Sequence, residues 1–164
     1  SGPAYSESNP LISEGLGCHP EDVAERNEGL KKHGFTGLRH NEAGQMVITS
    51  REDRARYLAY KEKARKLVEE RVVHFNQFYR FRVGRISIKN TQTRWGSCSR
   101  KGNLNFNYKI ALLPPKHADY IVVHELCHLG EFNHSKKFWA LVEKTIPDYA
   151  IIHNELKKSH LVLV

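Results

Sequence analysis

A short run of chemically reactive residues reads H-E-L-C-H at positions 124–128, and His134 follows six residues after it. In a helix, residues four apart lie on the same face, so His124 and His128 can direct two imidazoles at one metal ion. Glu125 follows the first histidine, where its carboxylate can act as general base on a zinc-bound water. The spacing therefore predicts a catalytic zinc site (Zn2+) whose fourth coordination position stays open.

Two residues compete for the third protein ligand. His134 lies ten positions after His124, whereas Glu143 lies on the next predicted helix, where thermolysin-type sites place a carboxylate ligand. The metzincin class is excluded, because it requires a methionine turn downstream of the histidines and the only methionine is Met46. His134 and Glu143 both remain open from the spacing alone.

The segment around the motif is otherwise apolar. Residues 118–129 read A-D-Y-I-V-V-H-E-L-C-H-L, a pattern typical of a core helix. Two imidazoles and a carboxylate are costly to bury there without a partner, and a metal ion supplies that partner. Cys127 is predicted to face the core, and His117, His153 and His160 are predicted to be surface or capping residues.

A small set of helices and strands has to position this motif. A capping pattern at Ser50 and an apolar stripe after it predict a long helix that ends near Tyr79. Pro114-Pro115 precedes the metal-binding helix, and Gly130 ends it. The remaining predicted elements are strands at 83–89, 95–99 and 103–108, a helix at 135–144, and a last helix with an apolar end at 150–164. This order predicts an α+β fold, with a small mixed or antiparallel sheet packed beside the metal-binding HExxH helix and preceded by the long helix.

Composition divides the chain into two parts. Residues 1–50 are predicted to form a partly flexible N-terminal appendage, with a short helix at 20–32 and a short strand at 44–49. Residues 51–164 hold the long helix and the metal motif, and they are predicted to form the catalytic domain. The chain of 164 residues is long enough to bury a core.

The charge of the chain is positive and uneven. The net charge is +8, and residues 51–101 contain 15 Lys and Arg against 5 Asp and Glu. This surplus makes nucleic acid a candidate partner of the stretch. A solvated basic helix face is the more common cause of such a surplus.

Three further features bear on the cellular setting. No run of about 18 apolar residues is present, so no membrane partner is expected. The N-terminus lacks a basic region followed by an apolar one, so no signal peptide is expected. Cys18, Cys98 and Cys127 form an odd, widely spaced set that does not suggest a disulfide framework. These features favour a cytoplasmic location.

Six segments, in order along the chain, carry a resemblance to a known family. They are R-W-G-S-C-S at 94–99, L-N-F-N at 104–107, the proline pair at 114–115, V-V-H-E-L-C-H-L at 122–129, N-H-S at 133–135 and F-W at 138–139. They closely resemble the YgjP-like metallopeptidases, which are relatives of the SprT-like zinc proteases. The resemblance implies a zincin-like fold, zinc ligation by His124, His128 and His134, Glu125 as the catalytic acid/base, and a protein or peptide substrate. It covers about residues 80–149 and leaves the first 50 residues outside.

The function expected from these observations is that of a zinc-dependent hydrolase, a metallopeptidase that cleaves peptide bonds. Asn105 and Asn107 lie on one face of a predicted strand, and their amides can bind a substrate backbone, although strand-end hydrogen bonds explain them equally well. Two alternatives remain: a zinc-dependent nucleotide phosphohydrolase and a non-enzymatic zinc-containing nucleic-acid-binding module. Glu125 argues against the second alternative, because a structural zinc has no need of that carboxylate.

Overall fold

The computed structural model describes residues 6–90, 93–159 and 161–164. The chain divides into two compact units, residues 1–59 and 60–164. The helices are α1 (Val23–Lys32), α2 (Arg51–Asn76), α3 (Pro115–Cys127), α4 (Lys136–Thr145) and α5 (Tyr149–Leu156), and the strands are β1 (Leu11–Ser13), β2 (Leu38–His40), β3 (Met46–Ile48), β4 (Ile86–Lys89), β5 (Arg94–Cys98), β6 (Leu104–Asn107) and β7 (Val162–Leu163). This mixture of helices and short strands confirms the α+β class. No helix among the described residues is both long enough and apolar enough to span a bilayer.

The first unit contains an antiparallel three-stranded sheet, with strand order β1-β3-β2, and the helix α1. Ile48 of β3 lies opposite Leu11 of β1 and opposite Leu38 of β2. Gly44 has a φ of 86° in the turn between β2 and β3, a conformation that favours glycine. The sequence predicts β3 and the helix but neither β1 nor β2, because a strand of three residues is too short to display an alternating pattern.

The second unit contains a four-stranded mixed sheet with strand order β4-β6-β5-β7. Strands β5 and β6 are antiparallel neighbours, β4 is parallel to β6, and β7 is parallel to β5. The turn between β5 and β6 contains Gly102, whose φ of 86° again favours glycine. The sequence predicts a small mixed or antiparallel sheet, and the structure shows the mixed form. Strand β7 is an additional strand that the sequence did not predict.

The core of the second unit is built from one face of the sheet and from α3. Leu104, Phe106 and Tyr108 are buried, as their alternation predicts. Trp95 is 5% exposed, and its indole N–H donates a hydrogen bond to Ser159 Oγ at 3.1 Å. Burying these large side chains holds the sheet against the helix that carries the motif.

Helix α3 is fixed in place at its start and along its length. Pro115 occupies its first turn, where a missing N–H costs no hydrogen bond. The guanidinium of Arg71 donates two hydrogen bonds to the Asp119 carboxylate, at 2.7 and 3.0 Å, which joins α2 to α3. Cys127 is buried and faces the core, as predicted. The helix ends at Cys127, three residues before the expected Gly130, because the next backbone N–H groups form tight turns onto residues three positions back.

Candidate metal centre

Three imidazoles meet at one point of the second unit. His124, His128 and His134 each offer a nitrogen, and these ligand atoms lie within 4.8 Å of one another. His124 and His128 are 1% and 4% exposed, whereas His134 is exposed. Glu143, the alternative third ligand, is exposed and does not join this cluster, which is formed from described residues. The geometry therefore favours His134 as the third ligand.

The turn after α3 brings His134 back to the two helix histidines. Backbone hydrogen bonds from Gly130 and Glu131 to the Cys127 carbonyl reverse the chain immediately after the motif. Ser135 then caps α4, because its hydroxyl accepts a hydrogen bond from the backbone N–H of Phe138. His134 is held between the turn and the cap, in the position just before the helix begins.

Aromatic side chains of α4 pack around the imidazoles. Phe138 is fully buried and stacks on His128, with ring centroids 4.4 Å apart. Trp139 stacks on His134, with centroids 5.9 Å apart, and also on Tyr149, with centroids 4.9 Å apart. These contacts restrict the ring orientations of the histidines and keep water from much of the cluster.

Burial keeps the helix histidines in the form that binds metal. Desolvation, with smaller contributions from His128 and His134, lowers the pKa of His124 to about 2. Desolvation also lowers the pKa of His128. Both imidazoles are therefore neutral at physiological pH, and neutral imidazole is the species that ligates a metal.

Glu125 is buried beside the cluster without a partner. It is 0% exposed, and neither carboxylate oxygen has a hydrogen-bond partner among the described residues. Burial raises the pKa of Glu125 well above its usual range. Strand β5 approaches this side chain at Gly96, where a Cβ atom would lie 2.9 Å from Glu125 Cγ. Glycine at position 96 therefore makes room for the carboxylate.

The donor atoms of the cluster suit a divalent metal such as zinc. His124 Nε2 and His134 Nε2 are 3.2 Å apart, and two nitrogen ligands on a tetrahedral zinc ion are about 3.3 Å apart. His128 Nε2 is buried and has no hydrogen-bond partner among the described residues. A buried polar atom without a partner is costly, and a metal ion at the centre of the three imidazoles removes that cost.

The second nitrogen of each helix histidine is also engaged. His128 Nδ1 lies 3.0 Å from the carbonyl oxygen of Glu131. His124 Nδ1 lies 3.3 Å from the Tyr120 hydroxyl, which in turn lies 2.7 Å from His153 Nδ1. His153, which was predicted to be a surface or capping residue, is half-buried, and its ring connects to His124 through Tyr120.

The other two histidines given the same prediction have different outcomes. His117 Nε2 forms a contact with the Glu155 carboxylate, with 19% of the His117 side chain exposed. It is not one of the three histidines that form the cluster. His160 lies outside the described residues.

The two asparagines proposed for substrate binding lie on β6. Asn105 is half-buried, and its amide donates a hydrogen bond to Ser97 Oγ at 3.2 Å. Asn107 is 1% exposed, and its amide donates to the Arg94 carbonyl at 3.2 Å. Its side-chain oxygen accepts from the backbone N–H of Lys109 at 2.9 Å, as a cap of the next turn. A substrate-binding role for either residue stays a prediction.

The last strand of the chain reaches the cluster. Leu163 of β7 lies opposite Gly96 of β5. The backbone of the next residue, Val164, raises the pKa of both His124 and His128. This effect is smaller than the lowering of both pKa values by burial. Strand β7 therefore covers the outer edge of β5 next to the three imidazoles.

Comparison with known protein families gives one match that covers most of the chain. A family model described as YgjP-like, metallopeptidase domain matches residues 26–159. The match begins well before residue 80, so the expectation that the first 50 residues lie outside the family is wrong for residues 26–50. No curated protein matches the chain.

Two solved structures are similar to the chain. The metallopeptidase zymogen of Pyrococcus abyssi abylysin is 24% identical, covers 59% of this chain and 99% of its own, and has a TM-score of 0.54. The metallopeptidase zymogen of Methanocaldococcus jannaschii jannalysin is 22% identical, covers 58% and 94%, and has a TM-score of 0.47. The abylysin similarity supports the zincin-like α+β fold.

Proposed function

The chain belongs to the YgjP-like metallopeptidase family, and we propose that it hydrolyses peptide bonds with a zinc ion held by His124, His128 and His134. The observation that carries this proposal is the arrangement around Glu125. A buried carboxylate without a partner lies beside three imidazoles that converge on one point. A site that only stabilises the fold has no use for such a carboxylate.

Peptide hydrolysis at this site needs a general base and correctly oriented zinc ligands, and different residues of the chain supply them. When bound, zinc supplies Lewis acidity, which makes water more acidic and polarises a carbonyl group. Glu125 takes the proton of the attacking water and passes it to the leaving amine. Phe138 stacks on His128 and Trp139 stacks on His134, and these contacts keep the two imidazoles oriented during the reaction.

We also propose that Asn105 and Asn107 contact the substrate backbone. Asn105 is the better placed of the two, because it is half-buried and lies opposite Ser97 in β5, next to Gly96. Asn107 is buried and already makes capping contacts, so it reaches a substrate only if those contacts change. An amide offers both a donor and an acceptor, as an extended peptide backbone requires.

One experiment separates peptide hydrolysis from the alternatives. Zinc-loaded protein is incubated in parallel with a denatured protein, with nucleoside triphosphates and with DNA. We expect cleavage of the denatured protein alone, loss of activity on chelation and recovery when zinc is returned. Hydrolysis of triphosphates without peptide cleavage would replace the proposal with a nucleotide phosphohydrolase. DNA binding without any hydrolysis would favour the non-enzymatic module.

A further inference from the structure

A chain of three polar groups extends from the metal cluster to α5. Tyr120 lies one helical turn before His124 in α3, and its hydroxyl is 3.3 Å from His124 Nδ1. The same hydroxyl is 2.7 Å from His153 Nδ1 on α5. Tyr120 is 0% exposed, so its hydroxyl depends on these two nitrogens for its hydrogen bonds.

The direction of both hydrogen bonds follows from counting the protons on the two imidazoles and on the Tyr120 hydroxyl. His124 presents Nε2 to the cluster, since that nitrogen lies 3.2 Å from His134 Nε2. A neutral imidazole that ligates through Nε2 must carry its proton on Nδ1, so His124 donates to the Tyr120 oxygen. The single proton of the Tyr120 hydroxyl is then directed to His153 Nδ1, which accepts it. His153 therefore holds its own proton on Nε2.

We infer that Tyr120 and His153 are positioning residues that fix the tautomer and the ring orientation of His124, and thereby set the affinity of the site for zinc. This inference rests on the proposed function, because it assigns the three imidazoles to zinc. It concerns residues outside the HExxH motif and 33 positions apart along the chain. Neither residue touches the substrate in this account.

The surroundings of His153 support its role as a hydrogen-bond acceptor. Burial lowers the pKa of His153, with a smaller contribution from Lys157, which favours the neutral ring that can accept a hydrogen bond. Trp139 packs edge-on against the His153 ring, with centroids 5.8 Å apart, and restricts its rotation.

The two helix histidines are supported by different kinds of group. His128 Nδ1 is paired with the backbone carbonyl of Glu131, which no substitution can remove. His124 Nδ1 is paired with a side chain, which a single substitution can remove. Partners of this kind, which orient a metal ligand through its second nitrogen, typically change metal affinity by about 10- to 100-fold when lost.

The test compares zinc affinity in four variants of the full chain, measured by competition with a chromophoric chelator. Tyr120→Phe removes the hydroxyl, and His153→Ala removes the acceptor behind it. His153→Asn restores an acceptor close to the position of Nδ1. Tyr79→Phe is the matched control, because the Tyr79 hydroxyl bonds the Leu141 carbonyl and Thr145 and not the nitrogen of a cluster histidine.

We expect Tyr120→Phe to weaken zinc binding by about tenfold or more, and His153→Ala to weaken it less. In His153→Ala the Tyr120 proton is free to turn toward His124 Nδ1, which favours the tautomer that cannot bind metal through Nε2. His153→Asn should recover much of the loss, and Tyr79→Phe should bind zinc as the wild type does. In NMR spectra of the nitrogen-15-labelled, zinc-loaded wild type, the proton on His124 Nδ1 should be protected from exchange with solvent. Tyr120→Phe should remove that protection.

Two results would overturn the inference in distinguishable ways. If Tyr120→Phe and His153→Ala both bind zinc as the wild type does, with His124 Nδ1–H protection unchanged, the two residues only pack and the inference fails while the proposed function stands. If the wild type itself does not bind zinc, the proposed function fails and the inference fails with it. Because His153 is half-buried, its variants keep the test valid even if Tyr120→Phe does not fold.

Discussion

The close approach of β5 to the carboxylate of Glu125 yields a quantitative prediction for Gly96→Ala. The added Cβ would lie 2.9 Å from Glu125 Cγ, 3.2 Å from Glu125 Oε2 and 2.9 Å from the Asn105 carbonyl oxygen. Carbon atoms in favourable contact are about 3.5 Å apart or more, so something must move by roughly 0.6 Å. The Asn105 carbonyl belongs to the ladder between β5 and β6 and is held in place. Movement of the Glu125 side chain relieves two of these contacts, and the contact with the Asn105 carbonyl requires in addition a small local shift of β5 against β6.

The displacement should impair catalysis more than folding. A misplacement of about 1 Å in a catalytic group can cost about 10²-fold in rate, so we expect kcat to fall between about 10- and 100-fold. The overpacked core should lower the free energy of unfolding by about 1–3 kcal/mol. The zinc content should be unchanged, since the three atoms nearest to the new methyl group belong to Asn105 and Glu125 and not to the imidazoles.

The assay measures initial rates on a denatured protein substrate, zinc per chain and urea unfolding for Gly96→Ala. Gly15→Ala is the matched control, because no atom lies within 4 Å of the position of its added Cβ. It should keep both activity and stability. A folded, zinc-loaded Gly96→Ala enzyme with the kcat of the wild type would refute the placement of Gly96 against the catalytic carboxylate.

Three further predictions concern the metal, the first unit and the charge. We expect each chain to bind one zinc ion and His128→Ala to lose most of it, and full occupancy by elemental analysis would contradict the ligand set. His40 is 2% exposed and burial lowers its pKa from the usual 6.5, so the folded protein resists its protonation. The unfolded chain takes up that proton as the pH falls below 6.5, so the free energy of unfolding should fall by up to about 1.4 kcal/mol per pH unit until the folded pKa is reached. His40→Gln should flatten this dependence in urea titrations, and an unchanged slope would argue against it. If residues 51–101 bind nucleic acid, retention on DNA should weaken steeply with salt, and no retention at low salt would leave their charge as a solvated face.

Local patterns allowed much of the site to be predicted from the sequence. The spacing of His124, Glu125 and His128 follows from one helical turn, and the turn that returns His134 is only six residues long. The long helix, the β5 and β6 strands and the metal-binding helix also carry patterns that extend over several residues. In each case the interacting groups are close in sequence, so their geometry follows from the period of one element.

The features that the sequence did not predict depend on contacts between distant segments. Tyr120 is recognisable in retrospect as the residue one turn before His124, but nothing local connects it to His153, 33 positions later. Gly96 and Glu125 meet only because β5 packs beside α3. Strand β7 has two residues, and its pairing with β5 is long-range, so an apolar tail alone cannot indicate it. The Tyr120–His153 contact, the Gly96–Glu125 contact and the pairing of β7 with β5 all depend on tertiary packing.

The substitution Glu125→Gln tests whether Glu125 is the general base of a zinc peptidase. The substitution is nearly isosteric and leaves the three imidazoles intact, so zinc per chain should equal that of the wild type. The amide cannot take a proton from water, so hydrolysis of a denatured protein should fall by about 10²-fold or more. We therefore expect Glu125→Gln to lose activity while it keeps its full zinc content. Wild-type hydrolysis by zinc-loaded Glu125→Gln would contradict it.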